Sequence, residues 1–328
     1  MPNSKIPEES IRVKIIPVSL VLFITAAALL SISASQAISA KKRILEFPTS
    51  KTVARIYYCR THKKNPNEIK IIMDASRPAV GTISIEGEQP IMLEVTWDGA
   101  EDLSWLSKLK ADDVQVLDLH KLPISKKGLP HIAKLTGLKY LFLEDTELED
   151  EDLKSVGRLS NLIELRLSKT AVKGAGLRYL NSLKKLEKLN LGYLELDEKS
   201  LPQLKNLSSL KDLDLGNCGL KDTAIKSISG IAPLHILSLR SNKHLSDKKL
   251  GQLSSLKKLW NINLADTNVS SNVGKELKSF PSLRMLKLGG GKAAPLDVAA
   301  IQKQLPGCRI VLVDNKDEFA KKIFSPLH

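Results

Sequence analysis

A short pattern of leucines recurs along most of this chain and limits what the chain can fold into. The pattern is Leu-x-x-Leu-x-Leu, and its clearest copies begin at Leu138, Leu162, Leu186, Leu210, Leu234, Leu259 and Leu283. Successive copies are 24 residues apart, except for one step of 25 that places an extra residue near Lys243-His244. Weaker copies begin at Pro90, Val114 and Cys308. The sequence therefore predicts about ten structural units stacked in one phase.

Each unit contains two different periodicities. The leucine pattern alternates with period two, as expected of a short strand whose alternate side chains are buried. A later apolar trio, such as Leu153, Val156 and Leu159, is spaced by three residues and predicts a short helix or 3₁₀ turn with one apolar face. Such a unit buries its leucines only against its neighbours, so the stability of the array is collective.

The pattern and the unit length resemble those of leucine-rich-repeat proteins over about residues 90–315. That family usually has Asn or Cys at the ninth position of the unit, where the side chain bonds to backbone in the turn. The ninth positions of this chain are Thr146, Thr170, Cys218, Asn242 and Thr267, with Leu122, Leu194 and Gly291 as departures. The phrases starting at Thr146 and Thr170 are similar to a bacterial subtype, Thr-x-Val-x-Asp-x-Gly-Leu, many of whose members are exported. The resemblance implies an α/β solenoid with a parallel β-sheet on the concave face and short helices on the convex face.

The N-terminal residues have the order of a targeting segment. Residues 1–14 are polar and partly basic, residues 15–32 are apolar, and residues 33–40 are mostly small or polar. This order predicts a secretory signal peptide within residues 1–40, with cleavage near Ser35-Gln-Ala37. The alternatives are an uncleaved membrane anchor formed by residues 15–32 and a buried core helix. Either of the first two places the remainder outside the cytoplasm, as a periplasmic or secreted protein or as an anchored one.

The regions that flank the repeats do not follow the pattern. Residues 41–89 contain three β-rich runs and predict a small β-rich N-terminal cap, since the end of a solenoid core is otherwise open. A separate functional domain is the alternative. Residues 90–315 form the repeats, and residues 316–328 are expected to form a C-terminal cap.

No catalytic or metal-binding pattern stands out. The six histidines are scattered, and none has metal-ligand spacing to a cysteine or to another histidine. No nucleophile motif of a hydrolase is present. We therefore expect a protein that is not an enzyme and that needs neither a cofactor nor a metal.

The formal net charge of +14 raises the question of an anionic partner. The concave-facing positions carry ten acidic and ten basic residues, so the surplus lies in helices and turns. A nucleic-acid backbone held in the concavity would need a basic stripe there, and this argues against nucleic acid. An alternative function is therefore a cell-envelope module that binds an anionic polymer or membrane surface through a basic outer face.

One group of concave side chains is a candidate for binding a protein. Tyr140 and Phe142 share a strand, Arg166 lies beside Phe142 on the next strand, and Tyr193 is one unit further. Phe142 is expected to be exposed at mid-strand, and aromatic and arginine side chains are enriched at binding hot spots. His120 completes the predicted partner-binding set. The leading prediction is a non-catalytic scaffold that binds a protein partner outside the cytoplasm.

Overall fold

Ten parallel strands, one for each unit of the sequence pattern, form the body of the molecule. The computed structural model describes residues 42–62, 65–231, 233–290 and 296–313, so the predicted targeting segment and the predicted C-terminal cap lie outside the described residues. The strands are β5 Ile91–Val95, β6 Val116–Asp118, β7 Tyr140–Phe142, β8 Glu164–Arg166, β9 Lys188–Asn190, β10 Asp212–Asp214, β11 Ile236–Ser238, β12 Asn261–Asn263, β13 Met285–Leu288 and β14 Arg309–Leu312. Each pairs with the next in sequence order, which confirms the leucine-rich-repeat solenoid.

Short helices return the chain from each strand to the next. The α-helical turns are Trp97–Ala100, Leu129–Ile132, Leu153–Val156, Ala224–Ile228, Val273–Leu277 and Val298–Gln304. The 3₁₀ segments are Leu103–Lys108, Asp150–Asp152, Ala175–Ser182, Glu198–Asn206 and Leu250–Ser255. None of these described helices is long and apolar enough to cross a membrane.

One continuous core lies between the strands and the helices. The pattern leucines are fully buried, as are the helix residues at spacing three, and the cluster runs from Leu45 to Cys308. Burying one such side chain stabilises the fold by about 1.5–3 kcal/mol. Because each leucine is covered by the units before and after it, no unit is expected to be stable alone.

The eighth position of the unit has a left-handed backbone in every repeat from β6 to β13. The residues are Lys121, Asp145, Lys169, Tyr193, Asn217, Ser241, Asp266 and Gly290, and the φ angles of the seven non-glycine residues lie between 54° and 63°. This conformation turns the chain out of the strand direction, while the backbone hydrogen bonds to the next repeat continue. The N–H of Lys121 donates to the Glu144 carbonyl at 2.8 Å, and that of Tyr193 donates to the Gly216 carbonyl at 2.7 Å. The seven non-glycine residues at these turns therefore carry the same kind of backbone strain.

The ninth-position side chains satisfy buried backbone groups, as the sequence predicts. Asn242 is fully buried; its Nδ2 donates to the carbonyls of Leu215 and Leu239, and its Oδ1 accepts from the N–H groups of Cys218 and Leu220. The Cys218 Sγ lies 3.1 Å from the Leu191 carbonyl. The prediction that Cys218 is a turn residue is confirmed.

A β-rich cap covers the N-terminal end of the core. It contains β1 Arg43–Glu46, β2 Ala54–His62, β3 Asn65–Ala79 and β4 Thr82–Ile85. Strands β2 and β3 extend the main sheet to twelve strands, with β2 antiparallel to β5, whereas β1 and β4 form a separate antiparallel pair. Leu45, Phe47 and Val53 of the cap belong to the same core as the repeats. The boundaries at 41–89 and 90–315 remain predictions.

The register of the last strand differs from the prediction by one residue. The sequence pattern places Cys308 in the first position, but Arg309 pairs with Met285 and Ile310 pairs with Leu286. Ile310 therefore occupies the core position, 24 residues after Leu286. Residues 310–313 are all apolar, so either register buries apolar side chains, and the hydrogen-bonded ladder decides between them. The side chain of Leu312, on this edge strand, is 59% exposed.

Candidate functional site

Side chains on the concave face form rows because equivalent residues of parallel strands stand about 4.8 Å apart. In the third-position row, Met92, Val116, Tyr140, Glu164 and Lys188 follow one another from β5 to β9. In the fifth-position row the order is Glu94, Asp118, Phe142, Arg166 and Asn190. The structure therefore brings Tyr140, Phe142 and Arg166 together.

The two aromatic side chains of β7 are buried, which corrects the expectation of an exposed Phe142. The side chain of Phe142 is 3% exposed and that of Tyr140 is 8% exposed. They belong to a second apolar cluster, distinct from the main core, whose members are Tyr57, Cys59, Met92, Val116, Tyr140 and Phe142. Neighbours in the rows cover each ring from the sides, and the Arg166 guanidinium lies over the Phe142 ring with its Cζ 4.2 Å from the centroid.

Arg166 is the centre of a charged network beside this cluster. Its Nε donates to Glu164 Oε1 at 2.6 Å, and its Nη1 lies 3.7 Å from Glu144 Oε1. Lys188 Nζ lies 3.7 Å from the other oxygen of Glu164. Burial lowers the pKa of Arg166, but the two carboxylates outweigh this effect and the pKa is raised. The guanidinium is therefore charged and held in place before any partner arrives.

Two more ionisable groups at this site have shifted pKa values. His120 Nδ1 lies 2.6 Å from Asp118 Oδ1, and this hydrogen bond raises the pKa of His120. Burial raises the pKa of Glu144, and the Arg166 charge opposes the shift only in part. The His120 ring is half-exposed.

Tyr193 lies apart from the other predicted residues. Its hydroxyl accepts a hydrogen bond from Arg240 Nη2 at 3.1 Å, and Lys169 Nζ lies 5.5 Å from its ring centroid. A shallow groove of about 500 Å³ opens beside it, lined by residues that include Leu194, Leu196 and Cys218. The predicted set thus divides into a group around Phe142 and a separate group around Tyr193.

Several residues of the second cluster were missed from the sequence. Met92 and Val116 occupy the third position of their units, as Tyr140 does, so a row-by-row comparison would have found them. Tyr57 lies outside the repeats, and only the pairing of β2 with β5 brings it beside Met92. Its hydroxyl donates to Glu94 Oε2 at 2.6 Å.

The cysteines are poor candidates for a nucleophile. All three are buried, and burial raises the pKa of the Cys59 and Cys218 thiols to about 12 and that of Cys308 to about 11. The thiolate that would act as a nucleophile is therefore scarce at neutral pH. In the part of the chain that the structure describes, no group of three His, Cys, Asp or Glu side chains could hold a metal ion.

Comparison with known proteins adds little to this geometry. No protein-family model matches the chain, and no curated protein matches its sequence. Among solved structures, the chain is similar to an internalin from Listeria monocytogenes with a TM-score of 0.47 and 18% identity, over 65% of this chain. The match spans 64% of the internalin chain. The class of protein is the leucine-rich-repeat solenoid, which the strand order and the repeated turns of this chain define by themselves.

Proposed function

We propose that this chain is a non-catalytic scaffold that binds a protein partner on its concave face, outside the cytoplasm. The observation that carries the proposal is the fixed charged network beside the buried second cluster of β2 and β5–β7. Arg166 is held by a cation–π contact and by two carboxylates, so little side-chain entropy remains to be lost on binding.

The concave face has the dimensions of a protein interface. Nine spacings of about 4.8 Å between β5 and β14 give a length of about 43 Å. A typical specific interface buries roughly 800 Å² of each partner, which a surface of this length can provide. No loop has to close over the partner, since the sheet is already formed.

The accessible side chains indicate the kind of partner. His120, Arg166, Lys188, Tyr193 and Arg240 present their polar ends, whereas the Tyr140 and Phe142 rings lie beneath. Because the rows contain both acidic and basic groups, we expect a partner with a mixed-charge patch and an aromatic or arginine anchor. Phe142 and Tyr140 support the surface rather than contact the partner.

Site-specific photo-cross-linking tests this proposal. A photoreactive amino acid would replace His120 or Lys188 on the concave face, and Lys226 on the convex helix Ala224–Ile228 would be the control. We expect both concave positions to cross-link the same protein and the control to cross-link none. Cross-linking of that protein from Lys226 alone, or of no protein from either concave position, would overturn the proposal.

The proposal also assumes that residues 1–40 direct export. N-terminal sequencing of the protein recovered from the envelope or the medium separates the two versions. A new N-terminus near residue 38 would indicate a cleaved signal peptide, and an intact N-terminus in the membrane fraction would indicate an anchor. Protein found only in the cytoplasm would contradict export.

A further inference from the structure

Basic side chains form a row along one side of the solenoid. The ten repeat strands are parallel, so the turns that lead into them lie along one rim; we call this the basic rim and define it as residues 109–115, 133–139, 157–163, 181–187, 205–211, 229–231, 233–235, 254–260, 278–284 and 302–308. Its Lys and Arg residues are Lys110, Lys134, Lys139, Arg158, Lys184, Lys185, Lys205, Lys211, Lys257, Lys258, Lys278, Arg284 and Lys303. The basic rim therefore contains thirteen basic residues and three acidic residues, Asp112, Asp113 and Glu187.

The opposite rim, where the strands end, has the reverse charge. It comprises residues 96–102, 120–126, 144–150, 168–174, 192–198, 216–222, 240–247 and 265–271, with fourteen acidic and seven basic residues. The net charges of the two rims are therefore about +10 and −7. This separation gives the molecule a field directed across the strands.

The cations of the basic rim are mostly unneutralised. All but Lys139 are exposed. Within the described residues, Lys211 is the member of the set that pairs with a carboxylate, Glu187, at 2.8 Å. Burial and the nearby charges of Lys258 and Lys211 lower the pKa of His235, which lies between them on the rim.

An exposed tryptophan lies within this row of cations. Trp260 is 37% exposed, and it lies between Lys258 and Arg284 along the rim. Tryptophan and lysine together are typical of surfaces at the boundary between lipid and water. Eleven of the thirteen cations are lysines, whose compact charge suits non-specific attraction to headgroups better than bidentate recognition of a phosphate.

We infer that the basic rim is a second binding surface, which lies against an anionic lipid bilayer. The cations extend over eight strand spacings, or about 38 Å. An exposed row of this length fits a planar charged surface. This placement leaves the concave face open to the side, so a bilayer and a protein partner can be bound at the same time.

Vesicle binding by the full chain tests this inference. The rim variant carries Lys134→Gln, Lys205→Gln, Lys257→Gln and Lys258→Gln. The control carries the same substitution at Lys127, Lys173, Lys248 and Lys249, which are exposed lysines on or beside the opposite rim. Both variants have the same net charge and keep the N-terminal apolar run, so any difference between them comes from the position of the lysines.

We expect a loss of vesicle affinity that depends on the position of the substituted lysines and on the presence of anionic lipid. Each lysine near an anionic surface contributes about fivefold in affinity, so the rim variant should bind phosphatidylcholine vesicles containing about one third phosphatidylglycerol at least about a hundredfold more weakly. The control should bind within about threefold of the wild type. Wild-type binding should also fall steeply between about 0.05 and 0.5 M salt.

Three outcomes would overturn the inference. Equal losses in the two variants would indicate a diffuse effect of net charge. Equal binding of the wild type to vesicles of pure phosphatidylcholine would exclude an electrostatic surface. Displacement from vesicles by soluble polyphosphate at a matched charge concentration would indicate that the rim takes a polymer rather than a bilayer.

The two exposed tryptophans give an independent test of orientation. Trp97, 60% exposed, lies on the opposite rim, while Trp105 is buried and donates to the Gly99 carbonyl. Anionic vesicles should shift the fluorescence of both the wild type and the Trp97→Phe variant to shorter wavelength. The Trp260→Phe variant should lose that shift, and the reverse pattern would show that the other rim faces the bilayer.

Discussion

Replacement of Phe142 by alanine tests whether this ring supports the concave surface or is an exposed contact. The ring is almost fully buried among the side chains of the second cluster and under the Arg166 guanidinium. Its removal would leave a gap next to Tyr140 and Val116 and would release Arg166 from its cation–π contact. We therefore expect a loss of folding stability in the absence of any partner.

The magnitude follows from burial and from the position of the ring. Transfer of a phenylalanine side chain from water accounts for about 2–3 kcal/mol, and Phe→Ala in a closed core costs about 3–5 kcal/mol. The concave face is open to water on one side, so the gap can be filled by solvent or by movement of Arg166. We expect Phe142→Ala to cost about 2–3 kcal/mol and Phe142→Leu, which keeps most of the volume, less than about 1.5 kcal/mol.

Urea unfolding followed by far-ultraviolet circular dichroism measures this loss. The midpoint should fall while the slope stays constant, since the surface exposed on unfolding hardly changes. If Phe142 were an exposed contact, its replacement would leave stability within about 0.5 kcal/mol and would weaken partner binding alone. That result would refute the packing described above.

Three further predictions concern the repeated turns and the histidine. Lys121→Gly should raise the free energy of unfolding by about 0.5–1 kcal/mol in urea titrations, because glycine relieves the left-handed strain at position eight. The control Lys121→Ala should give no gain in stability. A loss of stability in Lys121→Gly would contradict this account. Asn242→Ala should cost about 3–5 kcal/mol in the same assay, because it leaves several buried backbone groups without partners, and a cost under 1 kcal/mol would be inconsistent with that role. The raised pKa of His120 means that its bond to Asp118 contributes stability that is fully present below about pH 6.5 and is lost as the pH rises through the folded-state pKa. His120→Gln should therefore reduce the difference in stability between acidic and alkaline pH by about 0.2–0.5 kcal/mol, since the ring is half-exposed, and an unchanged difference would exclude this contribution.

The repeats were predictable because their signal is redundant. The leucines of each unit, the spacing of 24 residues and the ninth-position side chains all specify the same strand and turn. The extra residue near Lys243 is accommodated between β11 and β12, where Ser238 pairs with Asn263 across 25 residues. Because the local pattern and the stacking of the units agree, such a fold can be predicted from the sequence.

The wrong predictions concern residues for which these independent sequence signals are missing. At the last strand, four consecutive apolar residues fit two registers, and only the backbone pairing selects Ile310 for the core. Burial of Phe142 depends on side chains of the neighbouring strands, such as Arg166, which no single unit reveals. Concave exposure was inferred from strand alternation, which gives the face of a residue but not what covers it.

The charge of the rim was missed for a related reason. The sequence shows that the surplus lies outside the strands, but the turns before and after each strand are only a few residues apart in the chain. Parallel stacking separates them onto opposite sides of the molecule. Charges that alternate along the sequence thereby become two rims of opposite sign.

The central claim, recognition of a protein by the concave face, is tested most directly by matched charge reversals. Lys188→Glu changes the concave surface beside Glu164, and Lys226→Glu makes the same change in charge on an exposed convex helix. With the partner identified by cross-linking, we predict that Lys188→Glu weakens binding at least about tenfold and that Lys226→Glu changes the dissociation constant less than about twofold. Equal effects, or a larger effect of Lys226→Glu, would contradict the claim.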